Sequence, residues 1–239
     1  MQPRIAIEEP PSAASIVVVA AHPDDIESWC AGTLAQSIDA GAAVRLLLVT
    51  SGDKGTSDPA ADPADVAQRR EAEAGETARL LGIKEVRFLR HLDGEVEETR
   101  TLRGEVVFWL RTWRPEVVFT HDPESPFPPY LAHRDHRVTG RACLDAIYPS
   151  ARDPLSFPEQ LATGLSPHAV EAVWLFASAI AGTYIDIREG FDRKIAARLA
   201  HVSQTPDPVA LEQSWKARAA RIGEPAGLAL AESFTVLRT

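Results

Sequence analysis

Two short stretches carry the residue types and spacing that chemistry needs. His22-Pro23-Asp24-Asp25 closes an apolar run, and His133-Arg134-Asp135-His136 closes a proline-rich one. Adjacent carboxylates at the mouth of an apolar core repel each other and cost desolvation energy unless a positive charge compensates them. No lysine or arginine adjoins Asp24 and Asp25 in the sequence, so a metal cation is the economical compensation. Pro23 stiffens the turn, and the His22-x-x-Asp25 spacing can direct an imidazole and a carboxylate toward one point. His133 and His136 supply candidates for a third ligand. A His/Asp/His set leaves a fourth position open for water, the arrangement of catalytic rather than structural zinc.

These residues need a scaffold that brings distant loops together. The segments 16–21, 44–52, 86–90 and 116–121 are short, nearly continuous apolar runs that read as strands buried on both faces. Between them, 27–40, 64–81 (ending at Gly82) and 98–113 (ending before Pro115) have helical period. The alternation predicts an α/β fold, Rossmann-like, with a mostly parallel sheet and helices on both faces. Ligands of such sheets bind beyond the carboxyl ends of the strands, where both motifs fall. The segment 122–133 reads as a loop, 136–147 as a helix, 169–178 and 184–187 as strands, and 192–203 and 209–222 as helices. The C-terminal SFTVLRT reads as a last edge strand. No repeat or linker divides the chain, so residues 1–239 are expected to form a single domain.

Composition narrows the function. With 239 residues, 45% hydrophobic and 25% charged, the chain can bury a sizeable core. A net charge of −9 argues against nucleic-acid or anionic-membrane partners and for a small neutral substrate. Cys30 and Cys143 read as buried thiols rather than a disulfide. With no signal-like or spanning apolar segment of roughly 18 residues, a cytoplasmic location is expected. The acidic loop after the first strand, in place of G-x-G-x-x-G, disfavours a nucleotide-binding protein.

The AHPDD-I-E stretch, then GTLA, LVTSGDKG, Arg70-x-x-Glu73 before LLG, LDG and HRDH, is similar in order and content to the LmbE/PIG-L family of zinc-dependent N-acetylglucosaminyl deacetylases. The resemblance covers about the first 150 residues. It implies that His22, Asp25 and His136 bind zinc, that Asp24 is the general base, and that His133 polarises the substrate carbonyl or stabilises its oxyanion. A divalent metal can lower the pKa of water to about 7, and a nearby carboxylate that does not ligate can take its proton. Another metal such as Fe2+ also suits a His/Asp/His set. Asp135 is expected to hold His133 in its cationic form. Arg70 and Asp93 fall where the family carries sugar or aglycone contacts, and related proteins are frequently homo-oligomers.

The expected reaction is hydrolysis of a linear amide C–N bond, removing the N-acetyl group from an N-acetylglucosamine-containing small molecule. The alternatives are an amidase of amino-sugar thiol conjugates and a noncatalytic sugar-binding module. Some family members place a tyrosine two residues before the first histidine of the second motif, where this chain has Leu131, with Tyr130 one position further away. His121 ends one strand and His91 follows another, and both are expected to stand behind the ligands or to be structural, with Trp29, Phe127 and Tyr130 packing.

Overall fold

The computed structural model describes residues 5–124 and 133–239. In chain order the elements are β1 (Ala6–Ile7), β2 (Ser15–Ala20), α1 (Asp25–Trp29), α2 (Ala31–Asp39), β3 (Ala43–Thr50), α3 (Pro63–Leu81), β4 (Glu85–His91), α4 (Arg100–Trp113), β5 (Val117–His121), α5 (Arg134–Asp145), α6 (Pro158–Ala162), β6 (Ala172–Phe176), β7 (Thr183–Asp186), α7 (Phe191–Leu199), α8 (Pro208–Gly223) and β8 (Ala231–Arg238). Among the described residues one sheet contains all the strands, in the order β1-β7-β8-β6-β5-β2-β3-β4. Every neighbouring pair is parallel except the two that β8 makes.

Alternation along the strands divides the core between two faces. Ile16, Val18 and Ala20 of β2, with Leu46 and Leu48 of β3, pack with α2, α3 and α7 residues such as Leu34, Ala78 and Ile195. Val17, Val19, Leu47 and Val49 point the other way, against Leu102, Val106 and Leu110 of α4 and Cys143 of α5. This two-sided burial explains why these strands read as continuous apolar runs rather than alternating ones. β4 is the exception: as an edge strand it leaves Arg87 and Arg90 exposed, so the expectation of burial on both faces fails there. Local signals set several helix ends. Asp62 accepts from the Ala64 amide ahead of α3, Pro63 occupies its first turn, and Gly82 ends it at φ 85°.

Three other expectations change. The helix expected over 27–40 breaks at Cys30 (φ −142°), separating α1 from α2. The C-terminal strand is not at an edge: β8 is inserted antiparallel between β6 and β7. The segment between α5 and β6, expected to be loop, contains a π turn at Ala146–Ser150 as well as α6.

The order around β2 positions the site. From β2 the chain moves to β3 and β4 on one side, then returns to place β5 on the other. Connections leaving β2 and β5 in opposite directions open a crevice at the carboxyl ends of those strands.

Candidate metal and active site

His22 lies two residues beyond β2, and His121 is the last residue of β5, whose register pairs Thr120 with Val19. α5 begins at Arg134, with the backbone amide of Asp135 donating to His133 Nδ1. The two motifs meet there. His22 Nδ1 lies 3.3 Å from His136 Nε2 and 3.6 Å from Asp25 Oδ2, while Asp25 Oδ1 is 3.0 Å from His136 Nε2. Ligand atoms on a tetrahedral zinc ion are separated by about 3.3 Å, given bonds of about 2.0–2.1 Å. The three side chains therefore have the spacing of one face of such a site.

The surroundings fit the same reading. His22 Nε2, the ring nitrogen away from Asp25 and His136, is 3.0 Å from Asp93 Oδ1 and 3.2 Å from Asp135 Oδ2. A ring N–H donated to carboxylates leaves the Nδ1 lone pair facing the cluster, as metal-ligating histidines are commonly held. Asp25 is similarly tied: its Oδ2 accepts from the His22 amide at 2.7 Å and lies 3.2 Å from His121 Nε2. Burial opposes a proton on His22, but its hydrogen bonds to Asp135, Asp25 and Asp93 push its pKa up to about 12. Burial also opposes ionisation of Asp25, yet His136 and His121 hold its carboxyl well below the usual range. The cluster thus demands positive charge, which a divalent ion supplies. Among the described residues, ligand atoms gather within 4.8 Å of one another in three sets: His22 with His133 and His136; His22 with Asp93, His133 and Asp135; and Asp25 with His121 and His136.

Asp24 stands beside this cluster in the left-handed region at φ 95°. A non-glycine residue there stores roughly 1–3 kcal/mol of strain, a cost that tends to persist at functional sites. Burial and the neighbouring charge of Asp25 raise its pKa to about 6, while Arg70 pulls it down. Arg70 Nη2 is 3.2 Å from Asp24 Oδ1 and donates to Pro23 O at 2.5 Å, and Nη1 donates to Gly52 O at 3.1 Å. Arg70 is 4% exposed, and a Cβ at Gly52 or Gly55 would collide with its guanidinium. Part of the compensation for the paired aspartates therefore comes from an arginine 46 positions beyond Asp24 in the chain.

The expected partnership of Asp135 with His133 does not form as described. Asp135 is fully buried, with its carboxylate on the amides of Gly94 (2.6 Å) and Val96 (3.3 Å) and on His22, and is 4.0 Å from His133 Nδ1. Burial, then the charges of His22 and His136, lower the pKa of His133 rather than holding it cationic. Asp93, read as a substrate contact, has its carboxylate against His22, and its backbone amide donates to Asp53 Oδ1 at 3.0 Å. Glu73 lies apart, accepting from Ser203.

Among the other aromatic residues, His91 pairs with Glu105 at 2.7 Å and Trp29 lies under Arg218. Phe127, Tyr130 and Leu131 lie outside the described residues. His121, expected behind the ligands or as a structural residue, is 1% exposed, stacks on His136 with ring centroids 4.2 Å apart, and touches Asp25. Its place at the end of a strand was the available signal, but adjacency of β5 to β2 had to be known to use it.

Residues 17–147 match the family model described as PIG-L: GlcNAc-PI de-N-acetylase. The chain belongs to this family. A diacetylchitobiose deacetylase from Thermococcus kodakarensis is 33% identical over 194 residues, covering 81% of this chain and 71% of the relative. The solved structure of the N,N'-diacetylchitobiose deacetylase from Pyrococcus horikoshii, in complex with its inhibitor, superimposes with a TM-score of 0.88 at 29% identity, covering 95% of this chain and 84% of the other. A mycothiol S-conjugate amidase from Streptomyces coelicolor is 26% identical over 166 residues, covering 60% of this chain and 55% of the relative. Family membership accords with the motif resemblance, and no helix among the described residues is long and apolar enough to cross a membrane.

Proposed function

We propose that this protein is a zinc-dependent deacetylase that removes the N-acetyl group from an N-acetylglucosamine-containing small molecule, with residues 1–239 acting as one domain. The observation that carries the reading is the convergence of His22, Asp25 and His136, with His136 Nε2 3.3 Å from His22 Nδ1 and 3.0 Å from Asp25 Oδ1, beside a strained and unusually basic Asp24. The similarity to diacetylchitobiose deacetylases supports the substrate class.

His22 Nδ1, Asp25 Oδ1 and His136 Nε2 would hold the ion, and Asp93, Asp135 and His121 would orient those ligands. The bound ion would supply Lewis-acid polarisation of the amide carbonyl and acidification of water. Asp24 takes the proton from the attacking water, a role suited to a carboxyl whose pKa burial has raised toward neutrality. The same carboxyl, once protonated, is placed to return the proton to the leaving amine. His133, 45% exposed at its side chain, meets the developing negative charge on the acetyl oxygen through a ring N–H. Because the Asp135 amide donates to its Nδ1, neutral His133 carries its proton on Nε2 and donates from there. Arg70 holds Asp24 and the Pro23 carbonyl in place.

Acetate release from N,N'-diacetylchitobiose, N-acetylglucosamine and N-acetylglucosaminyl conjugates, measured with zinc, with Fe2+ and after chelation, tests this reading. Release that chelation abolishes, zinc restores and Asp24→Ala eliminates is the expected result. Cleavage of a thiol conjugate without deacetylation of the other compounds would favour the amidase instead. Tight sugar binding with no turnover in any metal state would assign a binding module.

A further inference from the structure

A cavity lies at the other end of α1 from Asp24 and Asp25. It has a volume of about 210 Å³, and none of its lining residues belongs to the His/Asp cluster. That is larger than an engineered cavity of about 150 Å³ that accepts benzene. Ser28 and Trp29 of α1 form one wall, β8 contributes Glu232 and Ser233, and α8 closes it with Trp215, Arg218, Arg221 and Ile222.

The inner face of α8 contains an anomaly. Trp215, Arg218, Ala219 and Ile222 follow the i, i+3, i+4, i+7 spacing by which a helix turns one stripe toward the protein. An apolar residue belongs at position 218, but a guanidinium stands there, stacked 4.1 Å from the ring centroid of Trp29. Among the described residues no carboxylate lies within ion-pair distance of Arg218 or Arg221, and the undescribed residues include no Asp or Glu.

Glu232, the acid lining the cavity, is already committed. Its Oε1 accepts from Lys194 Nζ at 2.6 Å and Gly32 N at 3.0 Å, and its Oε2 from Thr33 N at 2.8 Å and Thr33 Oγ1 at 2.7 Å. Lys194 and Glu232 thus neutralise each other, leaving the cavity with the two arginine charges. Burial lowers the pKa of Arg218 against the pull of Glu232, and the neighbouring charge of Arg221 lowers it further. Arg218 is half-buried and Arg221 exposed at the mouth, so a ligand anion can meet both guanidiniums with charge-assisted hydrogen bonds.

We propose that this cavity binds a small organic anion, a carboxylate or phosphate monoester of about hexose size, with its charged head on Arg218 and Arg221 and its body beside Trp215 and Ile222. The site does not depend on the deacetylase reading, because its residues are separate from that chemistry.

Intrinsic tryptophan fluorescence of the metal-loaded protein reads occupancy, since Trp29 and Trp215 line the cavity. The probes are glucose 6-phosphate, glucuronate, glucose and inorganic phosphate. A saturable change with either sugar anion, absent with glucose and weaker with inorganic phosphate, is the expected result, and the tighter of the two identifies the head group. Arg221→Gln, at an exposed position, should weaken that binding about tenfold, a difference of about 1.4 kcal/mol, and Arg218→Gln should remove it. No saturable change below about 10 mM of either sugar anion, an equal response to glucose, or unchanged affinity in Arg221→Gln would overturn the proposal. Equal affinity for inorganic phosphate would assign the cavity to a free inorganic ion and overturn the organic occupant.

Discussion

Replacing Arg70 by Gln tests whether Asp24 works as a base whose basicity the fold sets. The substitution removes one positive charge while leaving a side chain that can still donate to the Pro23 or Gly52 carbonyl. In the native protein the guanidinium is 3.2 Å from Asp24 Oδ1. At that separation the attraction is about 1.3 kcal/mol in a water-like medium and about 5 kcal/mol at an effective dielectric constant of about 20. The side chain of Asp24 is 25% exposed, which places the value toward the lower end. Since one pKa unit corresponds to about 1.4 kcal/mol, losing the charge should raise the Asp24 pKa by at least about one unit.

The native value of about 6 already reflects the opposing pull of burial and Asp25 against Arg70. A bound divalent ion lowers it in wild type and variant alike, so the difference between them is the measured quantity. A base must be deprotonated to act, so a higher pKa moves the acidic limb of kcat/KM to higher pH. The assay is the pH profile of acetate release, with metal content determined in each sample. An acidic limb that stays in place or moves to lower pH, in a variant that retains its metal, would refute the electrostatic argument.

Asp24→Asn should retain the metal and lose about 10²–10⁴-fold in kcat, measured by acetate release beside elemental analysis. The same change should stabilise the metal-free protein at pH 7–8. Raising the Asp24 pKa from 3.8 to about 6 makes its charged form cost roughly 3 kcal/mol, and Asn tolerates positive φ better. The folded pKa is the higher one, so that cost is present above pH 6 and vanishes below pH 3.8; the gap between variant and wild type in denaturant titrations should close across that window. His136→Ala should instead lose metal binding, read by dialysis equilibrium, because it removes one of three convergent donors. Glu232→Ala should lower stability by about 3–5 kcal/mol, since it strands the buried Lys194 ammonium and the amides of Gly32 and Thr33. Calorimetry should record a Tm lower by about 10 °C, and a wild-type Tm would show that this ion pair contributes nothing.

The amino-acid sequence by itself determined the chemistry of the site and the class of the fold. A histidine, a proline and two aspartates after an apolar strand, together with HRDH after another, specify donor types and the edge of the sheet they occupy. Periodicity reveals strands buried on both faces because the pattern is local: each residue reports its own burial. Tertiary structure decided everything that depends on which strands become neighbours. β8 carries the polar-apolar alternation of an edge but is enclosed between β6 and β7, since pairing partners are chosen by packing rather than by the strand's own residues. His121 reaches Asp25 only because β5 lies beside β2. Asp135 turns to His22 and two backbone amides, although it is two residues from His133, because its position at the start of α5 points the carboxylate inward. Arg70, on the inner face of α3, is read from the family resemblance as a sugar or aglycone contact. Its contact with Asp24 follows from how α3 packs over the β3 loop, a long-range arrangement that no local residue pattern encodes.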